Sequence, residues 1–133
     1  MKQATKEIDG LVYTTETLPA TEGLRILPKL VDLVGETGLA LLMSTGEDEK
    51  QSLMANPEVN AALLSTVASR AAENDGLLVL RELMKRTKCN AIAIGEAKIE
   101  GSVYEHFDDH FAGRYMHLIN VALWVGRVSF GAP

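Results

Sequence analysis

Residues 107–126 read FDDHFAGRYMHLINVALWVG and hold four of the chain's seven aromatic residues and two of its three histidines. An aromatic-anchored core or contact surface would draw most of its rings from this stretch. Phe107, Phe111, Tyr115, Leu118, Ala122 and Val125 recur at three- and four-residue steps, the spacing that lines one face of an α-helix. The pattern predicts one long helix from Ser102 to about Val125. His117, Val121, Trp124 and Val128 form a second stripe on that helix. Two readings of the second stripe follow: a partner covers it, or the helix is central and the chain covers both faces itself.

Upstream of this helix, CNAIAIGEAKIEG (89–101) alternates weakly around two glycines and predicts two short strands near 91–100. Asp9-Gly10 lies between short segments rich in Ile, Val, Tyr and Thr, the signature of a hairpin with a two-residue turn. The strands near 91–100 are candidates to pair with that hairpin. After Pro19 the spacing turns helical, with Leu24, Leu27, Val31 and Val34 on one face and Ile26, Leu30 and Leu33 on another, so both faces are expected to be buried. Pro28 lacks an amide donor and crowds the carbonyl four residues back, which predicts a kink there or a second helix start. Gly35 and Gly38 precede a further short helix at LALLM (39–43), and a loop covers 44–55.

Asn56-Pro57-Glu58 combines a capping side chain, a residue with no amide to leave unpaired, and an acid at the positive helix end. It predicts an Ala-rich helix to about Glu73, ended by Asn74-Asp75-Gly76, with another helix over 77–86. The fold class is thus α+β and mostly helical: a small N-terminal β-hairpin packed with about four to five helices in a single domain, 1–133. One core suffices for this length.

A net charge of −5 and a pI near 5.2 argue against nucleic acid as a partner, because phosphate binding needs clustered Lys and Arg. The acidic run GEDEK (46–50) reads as a solvated loop. A single cysteine, Cys89, allows no internal disulfide or thiolate cluster and fits a reducing compartment. The opening MKQATKEIDG has no signal-peptide core, and the longest apolar run, LINVALWV (118–125), is too short to span a bilayer. A cytoplasmic protein without membrane contact is expected.

Enzyme chemistry finds no foothold. No nucleophile motif or phosphate-loop glycine pattern is present, Cys89 has only Lys88 to favour its thiolate, and Asp108 and Asp109 point about 100° apart on a helix. His106 and His110 lie one turn apart, with Glu105 and Asp109 beside them. On a continuous helix, however, His117 sits roughly 10 Å farther along the axis, too far to join the same ion. No catalytic residue, metal or cofactor is expected.

FDDHFAGRY, followed by an apolar helix and VSFG, resembles the tail assembly chaperones of long-tailed bacteriophages and prophages. IDGLVYTTETLPATEGLRILPKLVDLVG (8–35) is similar to the opening of the same proteins, through Leu18, Pro19, Ala20 and Gly23. At the other end the likeness rests on Phe107, Asp108, His110, Phe111, Gly113 and Arg114, with Ser129 where an Asn is expected. The resemblance implies a non-enzymatic chaperone that binds the tape measure protein during tail assembly in the host cytoplasm and is lost from the mature virion. The tail tube protein is a further candidate partner, and homo-oligomers are expected. Rival readings are an oligomeric structural adaptor of the phage particle and a small His-dependent metal-binding protein. Within this frame, a glycine inside a helix suggests close approach of another backbone at Gly113. Arg114 has Asp109 or Glu105 of a neighbour, or its own Asp108 or His110, as candidate partners. Gly113, Arg114, His117, Val121, Trp124 and Val128 make up the expected contact surface.

Overall fold

The computed structural model describes residues 2–43, 57–71 and 76–131. Strands β1 (Gln3–Ile8) and β2 (Leu11–Glu16) form the N-terminal hairpin, and β3 (Thr87–Ile94) and β4 (Ala97–Ser102) form a second one. The four strands make one antiparallel sheet in the order β1-β2-β3-β4. Asp9 and Gly10 take φ of 51° and 85°, the left-handed pair that a tight two-residue turn requires and that Asp-Gly supplies at little steric cost. The expected pairing of the two hairpins is realised, through Tyr13↔Cys89, Thr14↔Lys88 and Thr15↔Thr87.

Among the described residues five helices follow the chain around this sheet: α1 (Ala20–Met43), α2 (Pro57–Ala71), α3 (Gly76–Leu83), α4 (Phe107–Phe111) and α5 (Tyr115–Phe130). The inward sheet face carries Tyr13, Thr15, Thr87, Cys89 and Ile92, all essentially buried. The helices add Ile26, Leu30 and Leu33 from α1, Leu63 and Val67 from α2, and Val79, Leu80 and Leu83 from α3. Thr15 and Thr87, buried opposite each other, join their hydroxyls at 2.8 Å and so satisfy two polar groups at once.

Several expectations for the helices change. In α1 the face of Ile26, Leu30 and Leu33 is buried throughout, whereas on the other face only Val34 is. Leu24 is 71% exposed and Leu27 and Val31 are half-buried, because the helices α2, α3 and α5 that pack on α1 leave these positions uncovered. The break in α1 falls at Gly35, with φ 71° and ψ −171°, and not at Pro28. Pro28 lies on the exposed side, one turn after the exposed Leu24, where water can take the carbonyl that proline leaves without a donor. At Gly35 the backbone takes a conformation open to glycine, and the Arg70 guanidinium reaches over it to donate to the Asp32 carbonyl at 2.6 Å. The helix over 39–43 is the part of α1 beyond this break. The loop at 44–55, the GEDEK run, Asn56 and Asn74-Asp75 lie outside the described residues; α2 starts at Pro57, as its signal predicts.

The largest change is in the decisive stretch. The long helix expected from Ser102 is two helices: β4 runs to Ser102, α4 spans Phe107–Phe111, and Gly113 at φ 72° turns the chain before α5 starts at Tyr115. Tyr115 consequently leaves the apolar stripe and is 59% exposed, while Phe107, Phe111, Leu118, Ala122 and Val125 stay buried. Helix α5 carries nine buried residues and is the central element on which α1, α2 and α3 pack.

Candidate functional site

The break at Gly113 folds His117 back toward His110, so that their rings lie 6.2 Å apart between centroids. Tyr13, from the core face of β2, places its hydroxyl between them. It lies 2.6 Å from His110 Nε2 and 2.6 Å from His117 Nε2. His117 Nδ1 meets Asp9 Oδ2 at 2.8 Å, and Arg114 Nη2 meets His110 Nδ1 at 3.3 Å. Tyr13 and His110 are fully buried and His117 nearly so, whereas the Asp9 side chain at the end of the chain of bonds is 62% exposed.

The two ends give the bonds a direction. A guanidinium only donates and a carboxylate only accepts. With both imidazoles neutral, one arrangement satisfies every link. Arg114 donates to His110 Nδ1, His110 Nε2–H donates to Tyr13, Tyr13 O–H donates to His117 Nε2, and His117 Nδ1–H donates to Asp9. Burial, reinforced by the positive charge of Arg114 and by the neighbouring His117 and His106, lowers the His110 pKa from 6.5 to about 4 and keeps that ring neutral. Burial foremost, with Cys89 beside it, pushes the Tyr13 hydroxyl well above its ordinary value, so it stays a donor. Arg114 further donates through Nε to the His110 carbonyl at 3.0 Å, which ties the α4–α5 turn to itself.

This donor set does not suit a metal ion. The lone pair of His110 Nδ1 receives Arg114, its Nε2 carries the proton, and His117 Nε2 is held by Tyr13. Among the described residues no group of three or more His, Cys, Asp or Glu side chains is placed to hold a metal. The roughly 10 Å separation expected of His117 on an unbroken helix does not hold, because the break at Gly113 brings its ring back to His110. His106 stands apart at the start of α4, where its carbonyl accepts the His110 amide.

The expected contact residues divide by burial. His117, Val121 and Trp124 are buried within this chain, Val128 is half-buried against the core, Arg114 is half-buried and Gly113 exposed. Within this chain nothing lies within 4 Å of where the Gly113 Cβ would be, and its positive φ by itself calls for glycine. Of the partners open to Arg114, the structure uses its own His110. Sequence reasoning missed Asp9 and Tyr13 as members of the site and read them only as hairpin residues. A signal was available, since an inward-facing tyrosine needs a partner for its hydroxyl.

The hydrogen-bonded chain joins the hairpin turn to the α4–α5 junction across about a hundred residues, within one span of sequence. A family model, described as phage tail assembly chaperone protein, matches residues 9–133. The chain belongs to the phage tail assembly chaperone family. The matched span begins at Asp9, the carboxylate end of the buried chain, and includes every other member of it. No match is found among curated proteins or among solved structures. In this tail assembly chaperone no helix among the described residues is long and apolar enough to cross a membrane. The family assignment carries a role in phage tail assembly, and the polar groups gathered in the interior fasten the two ends of the fold together.

Proposed function

We propose that this tail assembly chaperone binds the tape measure protein in the host cytoplasm, keeps it soluble while the tail tube forms around it, and is absent from the finished particle. Family membership across residues 9–133 carries this reading. The role is non-enzymatic: the one cluster of titratable groups described above is buried and internally satisfied, which suits holding a fold better than turning over a substrate.

Apolar side chains left at the surface support a binding role. Leu77 and Leu78 on α3 are 61% and 52% exposed, and Leu24 on α1 is more exposed still. A long helical partner presents successive apolar segments, so coverage by several chaperone copies suits it better than a single tight grip. Of the residues first expected to form the contact, Gly113 and Arg114 remain accessible; in this reading they border the surface, while His117, Val121, Trp124 and Val128 support it from within.

Co-expression with the tape measure protein tests the proposal. The wild-type chain should raise the soluble fraction of that protein and co-purify with it. Leu77→Asp with Leu78→Asp should keep the fold, since both side chains face solvent, yet reduce that soluble fraction severalfold. A tape measure protein equally soluble with and without the chaperone rules the proposal out.

A further inference from the structure

We propose that two copies of this chain pair through strand β4, extending the sheet across a two-fold axis centred on Ile99. The strand ends the sheet, and its residues 97–100 are all exposed. Ile99 is 39% exposed although it stands opposite the fully buried Ile92, so an apolar side chain on the core side of the sheet lacks a neighbour on its outer flank. Open sheet edges invite a further strand.

Backbone polarity and charge select one register. The two-residue turn between Ile94 and Ala97 makes those residues the closing pair that exchanges both backbone bonds, so residues 97, 99 and 101 bond inward to β3. Lys98 and Glu100 then direct their N–H and C=O groups to the open side. The irregularity in this ladder sets three steps of β3, Cys89 to Ile92, against two of β4, so the extra residue lies in β3 and β4 stays regular. Antiparallel pairing with Lys98 opposite Glu100 of the second copy uses those outward groups. It repeats the ion pair by symmetry and sets Ile99 against Ile99 of the second copy on the core side. Shifting the register by two residues either way opposes Lys98 to Lys98 or Glu100 to Glu100, which is unfavourable.

The other edge, β1, lacks this match. Its turn-closing pair Ile8↔Leu11 makes Lys6 bond inward and Glu7 outward, so no register brings Lys6 opposite Glu7 of a second copy. Charge complementarity therefore favours β4 with itself. This interface is separate from the α1 and α3 surface proposed for the tape measure protein.

Sedimentation of the purified full chain, with circular dichroism as a check on folding, tests the pairing. The wild type should form dimers at micromolar concentration. Lys98→Glu should weaken them about tenfold by setting like charges opposite each other, and Lys98→Glu with Glu100→Lys should restore them. Glu100→Pro, which removes an outward amide and no bond to β3, should give monomers. Ile99→Cys should cross-link into a covalent dimer on mild oxidation, since facing residues of a non-bonded pair lie within disulfide reach. A wild type that stays monomeric, or an oligomer indifferent to both Glu100→Pro and the charge reversal, overturns the proposal. So does a monomeric wild type whose Glu100→Pro variant loses the tape measure protein, because the edge then receives that partner's strand instead.

Discussion

Tyr13 shows how much one hydroxyl can hold in a small core. It is the acceptor for His110 and the donor to His117, so its removal leaves one buried N–H and one buried ring nitrogen unsatisfied. Tyr13→Phe keeps the ring and its packing but should cost about 2–4 kcal/mol, the penalty of two unpaired buried groups. Urea unfolding checks this; a variant within about 0.5 kcal/mol of wild type would show that the hydroxyl is dispensable. His110 makes the same chain sensitive to acid. Its pKa is near 6.5 when unfolded and lowered to about 4 in the fold, so between those values the unfolded chain binds the extra proton. The stabilisation from keeping His110 neutral is fully present above about pH 6.5, falls as the pH drops, and is lost once the pH passes about 4. The total is up to about 3 kcal/mol. Stability measured from pH 7.5 to 4 should decline less steeply in His110→Gln than in wild type; equal slopes would remove His110 from the account.

At the scale of the element, α5 is defined by the turn before it as much as by its own pattern. An unbroken helix from Ser102 would keep Tyr115 in phase with Phe111 and hold His117 away from His110. The positive φ at Gly113 resets the phase, exposing Tyr115 and bringing the two histidines onto Tyr13. The second stripe then becomes core, for Val121 is fully buried and Trp124 only 7% exposed. Trp124→Ala should therefore behave like Phe111→Ala, each losing roughly 3–5 kcal/mol of folding stability as a large buried ring is removed. Thermal melts of the two variants side by side check this. A Trp124→Ala chain that melts like wild type but fails to bind the tape measure protein would return that ring to a contact surface.

For the whole molecule, side-chain packing and the chain of hydrogen bonds from Asp9 to Arg114 bring together residues more than a hundred positions apart. No bound ion is needed for that closure, since the nitrogen atoms an ion would use are engaged with Arg114 and Tyr13. Chelation with EDTA should leave the melting temperature unchanged. A drop of several degrees would mean that a folded-state ligand had been removed.

Local patterns in the sequence were enough for the hairpin at Asp9-Gly10, the start of α2 at Pro57, the strands around Gly95 and the mostly helical α+β class, because each depends on neighbours within a few residues. The family resemblance was likewise legible in two short stretches at either end of the chain. What the tertiary structure decided was the location of breaks and the burial of faces. Pro28 sits where water can take the freed carbonyl, so the helix continues through it, while Gly35 and Gly113 adopt backbone angles that no count of apolar spacing reports. The same holds for the stripe of His117, Val121 and Trp124. A helix shows which residues share a face, but only the elements packed around it determine whether that face meets water, a partner or its own chain, and here the sheet and three helices enclose it.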